Sequence, residues 1–185
     1  MKRGVTVWFT GLPCSGKTTI ADRVYKILES KGYEVERLDG DIVRQHLSKD
    51  LGFTAEDRRK NLERVSFVAS LLTKHGVITL CTFVSPYNSV RKMIREIIGE
   101  NFLLVYVKCP LEVCIERDVK GMYKKALRGE IKNFTGIDDP FEEPENPDLV
   151  VETDKEEVEE SVRKVLKLLV DKGYVGEEVL EEVCR

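Results

Sequence analysis

The chain has 185 residues, 30 of them basic and 33 acidic, for a formal net charge of -3. It is 42% hydrophobic and 34% charged, so a globular chain that buries its own core without disulfide or metal staples is expected. The balanced charge argues against nucleic acid or a membrane surface as partner, and no apolar run reaches the ~18–20 residues of a membrane helix.

The elements follow in chain order. Gly4 precedes VTVWFT, an apolar and β-branched run over residues 4–10 that reads as a buried strand rather than a signal peptide. A glycine-rich loop comes next. From about Lys17 to Lys31, Ile20, Val24, Ile27 and Leu28 share one helical face, and Gly32 suits the position past the helix end. Residues 34–38 predict a second strand, ending at Asp39-Gly40-Asp41. A short helix is expected from Ile42 to Leu47. A longer one starts near Thr54, with Asp57 as its capping partner. It carries the stripe Leu62, Val65, Val68, Ala69 and Leu72 and ends at Gly76.

Residues 77–84 predict a third strand, stopped by Ser85-Pro86. A helix over 89–98 and a strand over 102–107 follow, and Pro110 suits the first turn of another helix. Residues 149–152 predict a fifth strand. Thr153 and Glu156 are expected to cap a last helix with the apolar face Val158, Val162, Val165, Leu166 and Leu169. Strands alternating with helices imply an α/β fold, a parallel sheet covered on both faces. One domain over 1–170 is expected, with 171–185 as an extension that carries no readable role.

Cysteines stand at 14, 81, 109, 114 and 184, with no C-x-x-C pair, and the two histidines are His46 and His75. That set offers no clustered metal ligands. Free thiols in a reducing cytoplasm are expected, and both histidines read as helix-surface residues. Two charge blocks stand out. Residues 117–132 hold six basic and two acidic residues, and residues 142–160 hold ten acidic and one basic.

Gly11-Leu12-Pro13-Cys14-Ser15-Gly16-Lys17-Thr18 matches G-x-x-x-x-G-K-[ST] between a strand and a helix. Glycines let backbone N–H groups turn inward onto phosphate oxygens, and the helix N-terminus adds positive charge. Lys17 can reach the β- and γ-phosphates, and the Thr18 hydroxyl can ligate Mg²⁺. No N-K-x-D guanine motif is present, and the small size favours a small-molecule kinase.

Asp39 and Asp41 close the second strand, where ligands bind in open α/β sheets. A carboxylate there can deprotonate an attacking hydroxyl, or it can cap the next helix; Asp41 could do both. Arg44, Arg58, Asn61 and Arg64 follow. Residues 58, 61 and 64 lie one turn apart and suit an anionic substrate, although solvated surface is the plain alternative. Phe53 and Phe134 sit in polar loops. They could sandwich a flat base or serve as ordinary loop aromatics.

The ordered motifs GLPCSGKTT, LDGDIVR, DLGFTAEDRRKNLERV, FVSPY and RDVKGMYKKALRGEIKNFTGIDDPFEEPENPDLVVET resemble the adenylylsulfate kinase (APS kinase) family over about residues 5 to 153. The last motif is the most specific. The resemblance implies a P-loop NTPase fold with a lid segment over 117–136. It implies ATP and adenosine 5′-phosphosulfate (APS) as substrates, with Mg²⁺. ADP and 3′-phosphoadenylylsulfate (PAPS) would be the products, in the second step of sulfate activation. It also implies a homodimer.

By motif, Asp41 would engage the 3′-hydroxyl, with Asp39 in support and Lys17 on the transferred group. Thr19 joins the loop residues on ATP, and Arg117 would lie over ATP from the lid. Arg44, Arg58, Asn61, Ser85, Pro86, Tyr87, Lys120, Lys132, Thr135 and Gly136 would contact APS, with Phe53 and Phe134 stacking on its adenine. Some positions depart from the pattern. Ile42 replaces a usual asparagine, Asn88 a common arginine, and Pro13 and Cys14 small residues. Two rival readings are a P-loop kinase for another hydroxyl acceptor and a non-catalytic nucleotide-binding domain. The second predicts loss of Lys17, Thr18 or Asp41, and all three are present.

Overall fold

The computed structural model describes residues 2–183. Cys184 lies outside the described residues, as do Met1 and Arg185. Five strands, β1 (Val5–Thr10), β2 (Val35–Asp39), β3 (Ile78–Thr82), β4 (Phe102–Lys108) and β5 (Leu149–Glu152), form one sheet in the order β2-β3-β1-β4-β5. Every pairing is parallel, and Val7 of β1 lies in register with Leu80 of β3 and Leu103 of β4. All six residues of β1 are buried, because it is the central strand and helices cover both of its faces.

On one face, α1 (Lys17–Ser30) and α7 (Val158–Asp171) pack on Val5, Val7, Phe9, Val105 and Val107. A 3-10 helix, Glu177–Val183, closes this side. Val175 and Val179 are buried in the same core, so the segment after α7 anchors itself on it through these two side chains. Arg3 stacks 4.6 Å over the Tyr174 ring, which ties the two ends of the chain together. Each buried Leu or Ile here contributes about 1.5–3 kcal/mol. The exposed Arg23–Glu159 pair beside them is worth at most ~1 kcal/mol, so packing decides how α1 and α7 sit.

On the other face, α2 (Gly40–His46), α3 (Ala55–Lys74) and α4 (Asn88–Ile98) cover Trp8, Cys81, Phe102 and Leu104. Trp8 stacks on Phe83 at 5.2 Å, and the Thr6 and Thr73 hydroxyls share a bond of 2.7 Å. Thr54 caps α3 by accepting from Asp57 N–H, as its spacing predicts. Two short helices, α5 (Leu111–Arg117) and α6 (Met122–Leu127), form a third small cluster of Cys109, Cys114 and Tyr123 against Leu12, Cys14 and Phe134.

Several local expectations need correction. β3 ends at Thr82, short of residue 84, because the Val84 and Ser85 carbonyls turn to the Thr10 hydroxyl. Thr153 and Glu156 do not cap α7. The Thr153 hydroxyl bonds Ser15, the Glu156 carboxylate accepts from Glu152 N–H, and α7 opens at Val158. Val158 is 43% exposed and lies off the apolar face. Val68 and Leu72 are only half-buried. His46 and His75 are exposed, as expected.

Candidate active site

Residues 11–16 turn from β1 into α1. Gly11 is obligatory: a Cβ there would lie 2.5 Å from the Val107 carbonyl. Gly16 takes φ +109° just before the helix. Every carbonyl from Gly11 to Ser15 is held from outside the loop's own turn. Lys17 Nζ donates to Gly11 O and Leu12 O, both at 2.9 Å. The Tyr123 hydroxyl donates to Pro13 O at 2.7 Å. Arg117 donates to Cys14 O and Ser15 O, and the Thr153 hydroxyl also donates to Ser15 O. With the carbonyls engaged and Ser15 N–H donating to Leu12 O, the remaining N–H groups of the loop are left for an anion. Burial lowers the Lys17 ammonium to a pKa of about 8.

Arg117 therefore grips the loop backbone and Thr153, while its basic neighbours Lys120, Lys124, Lys125, Arg128 and Lys132 are exposed. Thr18 and Thr19 are exposed in the first turn of α1, and neither hydroxyl makes a hydrogen bond among the described residues.

Of Asp39 and Asp41, only one caps the helix that follows. Asp39 caps α2, accepting from Asp41 N–H at 2.9 Å and Ile42 N–H at 3.3 Å. The correction is that Asp41 caps nothing. Its carboxylate is exposed and pairs with Lys120 Nζ at 2.5 Å. That bond raises the Lys120 pKa.

Arg44 donates to Leu51 O and Gly52 O and lies 4.5 Å over the Phe53 ring, so it shapes the loop that presents Phe53. Burial lowers the Arg44 pKa. Phe53 is 67% exposed. Arg58 pairs with Asp139 at 2.5 Å, reaches Thr135 Oγ1 and lies 5.9 Å over the Tyr87 ring. Asn61, on the same helix, is buried with its Oδ1 unbonded among the described residues, as is Arg58 Nε. Unpartnered polar atoms in a buried position are uncommon and suit a site that a ligand completes.

Arg64 leaves this group. It forks onto Asp50 at 2.7 and 2.9 Å, bonds Leu47 O, and holds the Asp50 carboxyl down to a pKa of about 2. It braces the α2–α3 loop.

The Asn133–Asp139 turn is built on Asp138, which accepts from the N–H groups of Asn133 and Phe134, each at 2.6 Å. The bond from Phe134 N–H is the main reason its pKa is lowered. Gly136 N–H donates to Asp139 O. Phe134 meets Tyr123 edge-on at 5.0 Å and is not in ring contact with Phe53. Lys132 makes no hydrogen bond or ion pair among the described residues. An open cleft of about 770 Å³ runs beside this turn, between Leu12, Lys108 and Phe141.

The Ser85 side chain lies in the core. Its Oγ accepts from Trp8 Nε1 and bonds Thr10 Oγ1 and Phe83 O, so any role in the site is left to its backbone. Pro86 is buried as well, and Tyr87 is half-buried.

The sequence did not mark Arg91 or Tyr123 for the site, and Thr153 only as a helix cap. Arg91 is buried and bonds Ser85 O, Asn88 Oδ1 and Glu142 O; burial lowers its pKa to about 10. It straps the acidic segment to the loop of Ser85. Asn88, which departs from the family pattern, joins the strap by donating to Glu143 O.

A family model for adenylylsulphate kinase matches residues 3–152. The chain belongs to the adenylylsulphate kinase family. A relative described as adenylyl-sulfate kinase in Halothermothrix orenii is 63% identical over 175 residues, covering 95% of this chain and 94% of that protein. The Mycobacterium tuberculosis APS kinase CysC, solved in complex with AMPPNP and APS, superposes with a TM-score of 0.88 at 44% identity, covering 91% of this chain and 99% of that one. A hexameric APS kinase from Thiobacillus denitrificans superposes at a TM-score of 0.73 and 33% identity, covering 94% of this chain and 30% of that longer one. The expected P-loop kinase fold is thus the observed one. No helix among the described residues is long and apolar enough to cross a membrane, and none of their His, Cys, Asp or Glu side chains group as a metal site.

Proposed function

We infer that this chain transfers the γ-phosphoryl group of ATP to the 3′-hydroxyl of adenosine 5′-phosphosulfate, giving ADP and PAPS. Family membership supports the reaction. The difference between Asp39 and Asp41 supports the mechanism: one carboxylate is consumed in capping, and the other is exposed just past the carboxyl end of β2, paired with Lys120 of the basic segment. Asp41 holds the attacking hydroxyl in line and takes its proton. Such a base contributes about 10²–10⁴-fold. The loop N–H groups and Lys17 offset charge on the transferring group, because phosphoryl transfer is largely positioning and electrostatics.

Arg44, Arg58 and Asn61 are proposed to read the anionic and ribose groups of APS, and Phe53 and Phe134 to hold its adenine. Lys120, Lys132, Thr135, Gly136 and the 85–87 backbone complete that pocket, and Arg117 steadies the ATP loop. The exposed, unbonded Thr18 hydroxyl fits a Mg²⁺ ion shared with the ATP phosphates, where the ion would neutralise phosphate charge. Mg²⁺ fits a site with no cage of protein carboxylates, since it is commonly held by few side chains plus phosphate oxygens.

The deciding experiment incubates the protein with ATP, APS and Mg²⁺ and follows PAPS. A screen of sugars, nucleosides and shikimate-like acceptors runs beside it. Turnover of one of those in place of APS would refute the assignment. A homodimer is proposed from the family resemblance, to be checked by light scattering. A cytoplasmic location is proposed from the free thiols at 14, 81, 109 and 114.

A further inference from the structure

Tyr123 touches both halves of the site through different atoms. It is fully buried in α6, inside the basic segment. Its hydroxyl donates to Pro13 O, and its ring supports Phe134 edge-on. Burial raises its pKa, so it stays a neutral donor at working pH.

The residue after Pro13 is Cys14, which holds φ +64°. A non-glycine residue in this left-handed region is strained, because its Cβ crowds the following carbonyl oxygen. The Pro13 carbonyl and the Cys14 N–H belong to one rigid peptide plane. Fixing the carbonyl therefore fixes where the N–H points, and that N–H is one of the loop's donors. On the far side of Cys14, Arg117 holds the Cys14 carbonyl. The strained residue is clamped before and after.

We propose that Tyr123 is a positioning residue for both substrates: its hydroxyl aims the Cys14 N–H at the ATP phosphates, and its ring sets Phe134 against the base of the acceptor. The proposal rests on the reading of the loop as the ATP site and of Phe134 as an APS contact. The two contacts are separable, which makes the idea testable.

Tyr123→Phe keeps the ring and loses only the hydroxyl. It should raise the KM for ATP about tenfold while the KM for APS stays within about twofold. Tyr123→Leu loses both contacts and should raise both KM values. Cys14→Gly removes the strain, so Tyr123→Phe made in that background should change the KM for ATP by less than about twofold. A merely structural tyrosine would lower the melting temperature without this split.

An unchanged KM for ATP in Tyr123→Phe overturns the proposal. Equal rises in both constants, or an undiminished effect in the Cys14→Gly background, overturn it too. Phe134→Ala is measured in parallel. If it leaves the KM for APS unmoved, the underlying base-stacking reading fails, while the ATP arm still decides the role of the hydroxyl.

Discussion

Lys120 Nζ donates to Asp41 Oδ2 and so joins the segment between α5 and α6 to the start of α2. Both side chains are well exposed, so the pair adds at most a few tenths to 1 kcal/mol of stability. Its value lies in holding a basic segment over the proposed base. Asp41→Asn should lower kcat by about 10²–10⁴-fold. ATP affinity, measured by calorimetry, should hold within about twofold, because Asp41 touches no part of the phosphate loop. Near-normal turnover would remove Asp41 from the mechanism. Lys120→Ala should lower the melting temperature by no more than about 4 °C and still slow turnover.

Lys17 makes ATP binding depend on pH. Its ammonium in the free protein loses its proton as pH rises through about 8, below the ordinary lysine value, because it is buried. Phosphate binding requires the charged form. Above pH 8, ATP must therefore bind together with a proton, and its apparent Kd should rise by up to about tenfold per pH unit. Titrations at pH 9 in two buffers of different ionisation heat should show proton uptake, and Lys17→Met should abolish it. Binding at pH 9 without proton uptake would contradict the depressed value. The same shift has a consequence for stability. The folded state disfavours the charged form, so the group's penalty is fully present below pH 8. It is relieved as pH climbs toward the unfolded value of 10.5.

The two phenylalanines should separate binding from folding. Phe53 is exposed and Phe134 is packed against Tyr123. Stacking on a base is worth about 1–3 kcal/mol. Phe53→Ala should raise the KM for APS several-fold with an unchanged melting temperature. Phe134→Ala should raise it similarly and also lower the melting temperature, since it leaves a hole beside Tyr123. Neither should move the KM for ATP by as much. Equal effects on the two substrates would rule out the base sandwich.

The buried valines beyond α7 should contribute to stability. Val179 is completely buried against the α1 and α7 core. Val179→Ala should cost about 2 kcal/mol, from two lost methyl groups and the cavity they leave. Urea denaturation would show it as a lower midpoint with an unchanged slope. A midpoint equal to the parent's would mean that this segment packs more loosely than the structure has it.

Much of this molecule was readable as text. The five strands could be placed to within a few residues because β-branched apolar runs and helical stripes are local patterns. The phosphate loop was legible for the same reason, since its chemistry is carried by eight consecutive residues. Asp39 and Asp41 could be put at a strand end, where ligands bind. The sequence left open which of the two does what. Only backbone geometry shows which one caps α2, because the cap is whichever carboxylate meets the free N–H groups of that helix.

Other features depend on partners too far away in sequence to leave a pattern. Pro13 meets Tyr123 across 110 residues, and Ser15 meets Thr153 across 138. Ser85 and Arg64 looked like site residues in the string, but the fold gives their polar atoms to Trp8 and Asp50. The balanced composition likewise argues against a nucleic-acid partner without showing where charge gathers. The sequence by itself determined the fold class, the nucleotide loop and the family. The tertiary structure decided which carboxylate caps α2, what clamps the loop, and that Val175 and Val179 beyond α7 belong to the core. Those outcomes rest on hydrogen-bond partners and buried contacts between distant segments, which form only when the chain has closed on itself.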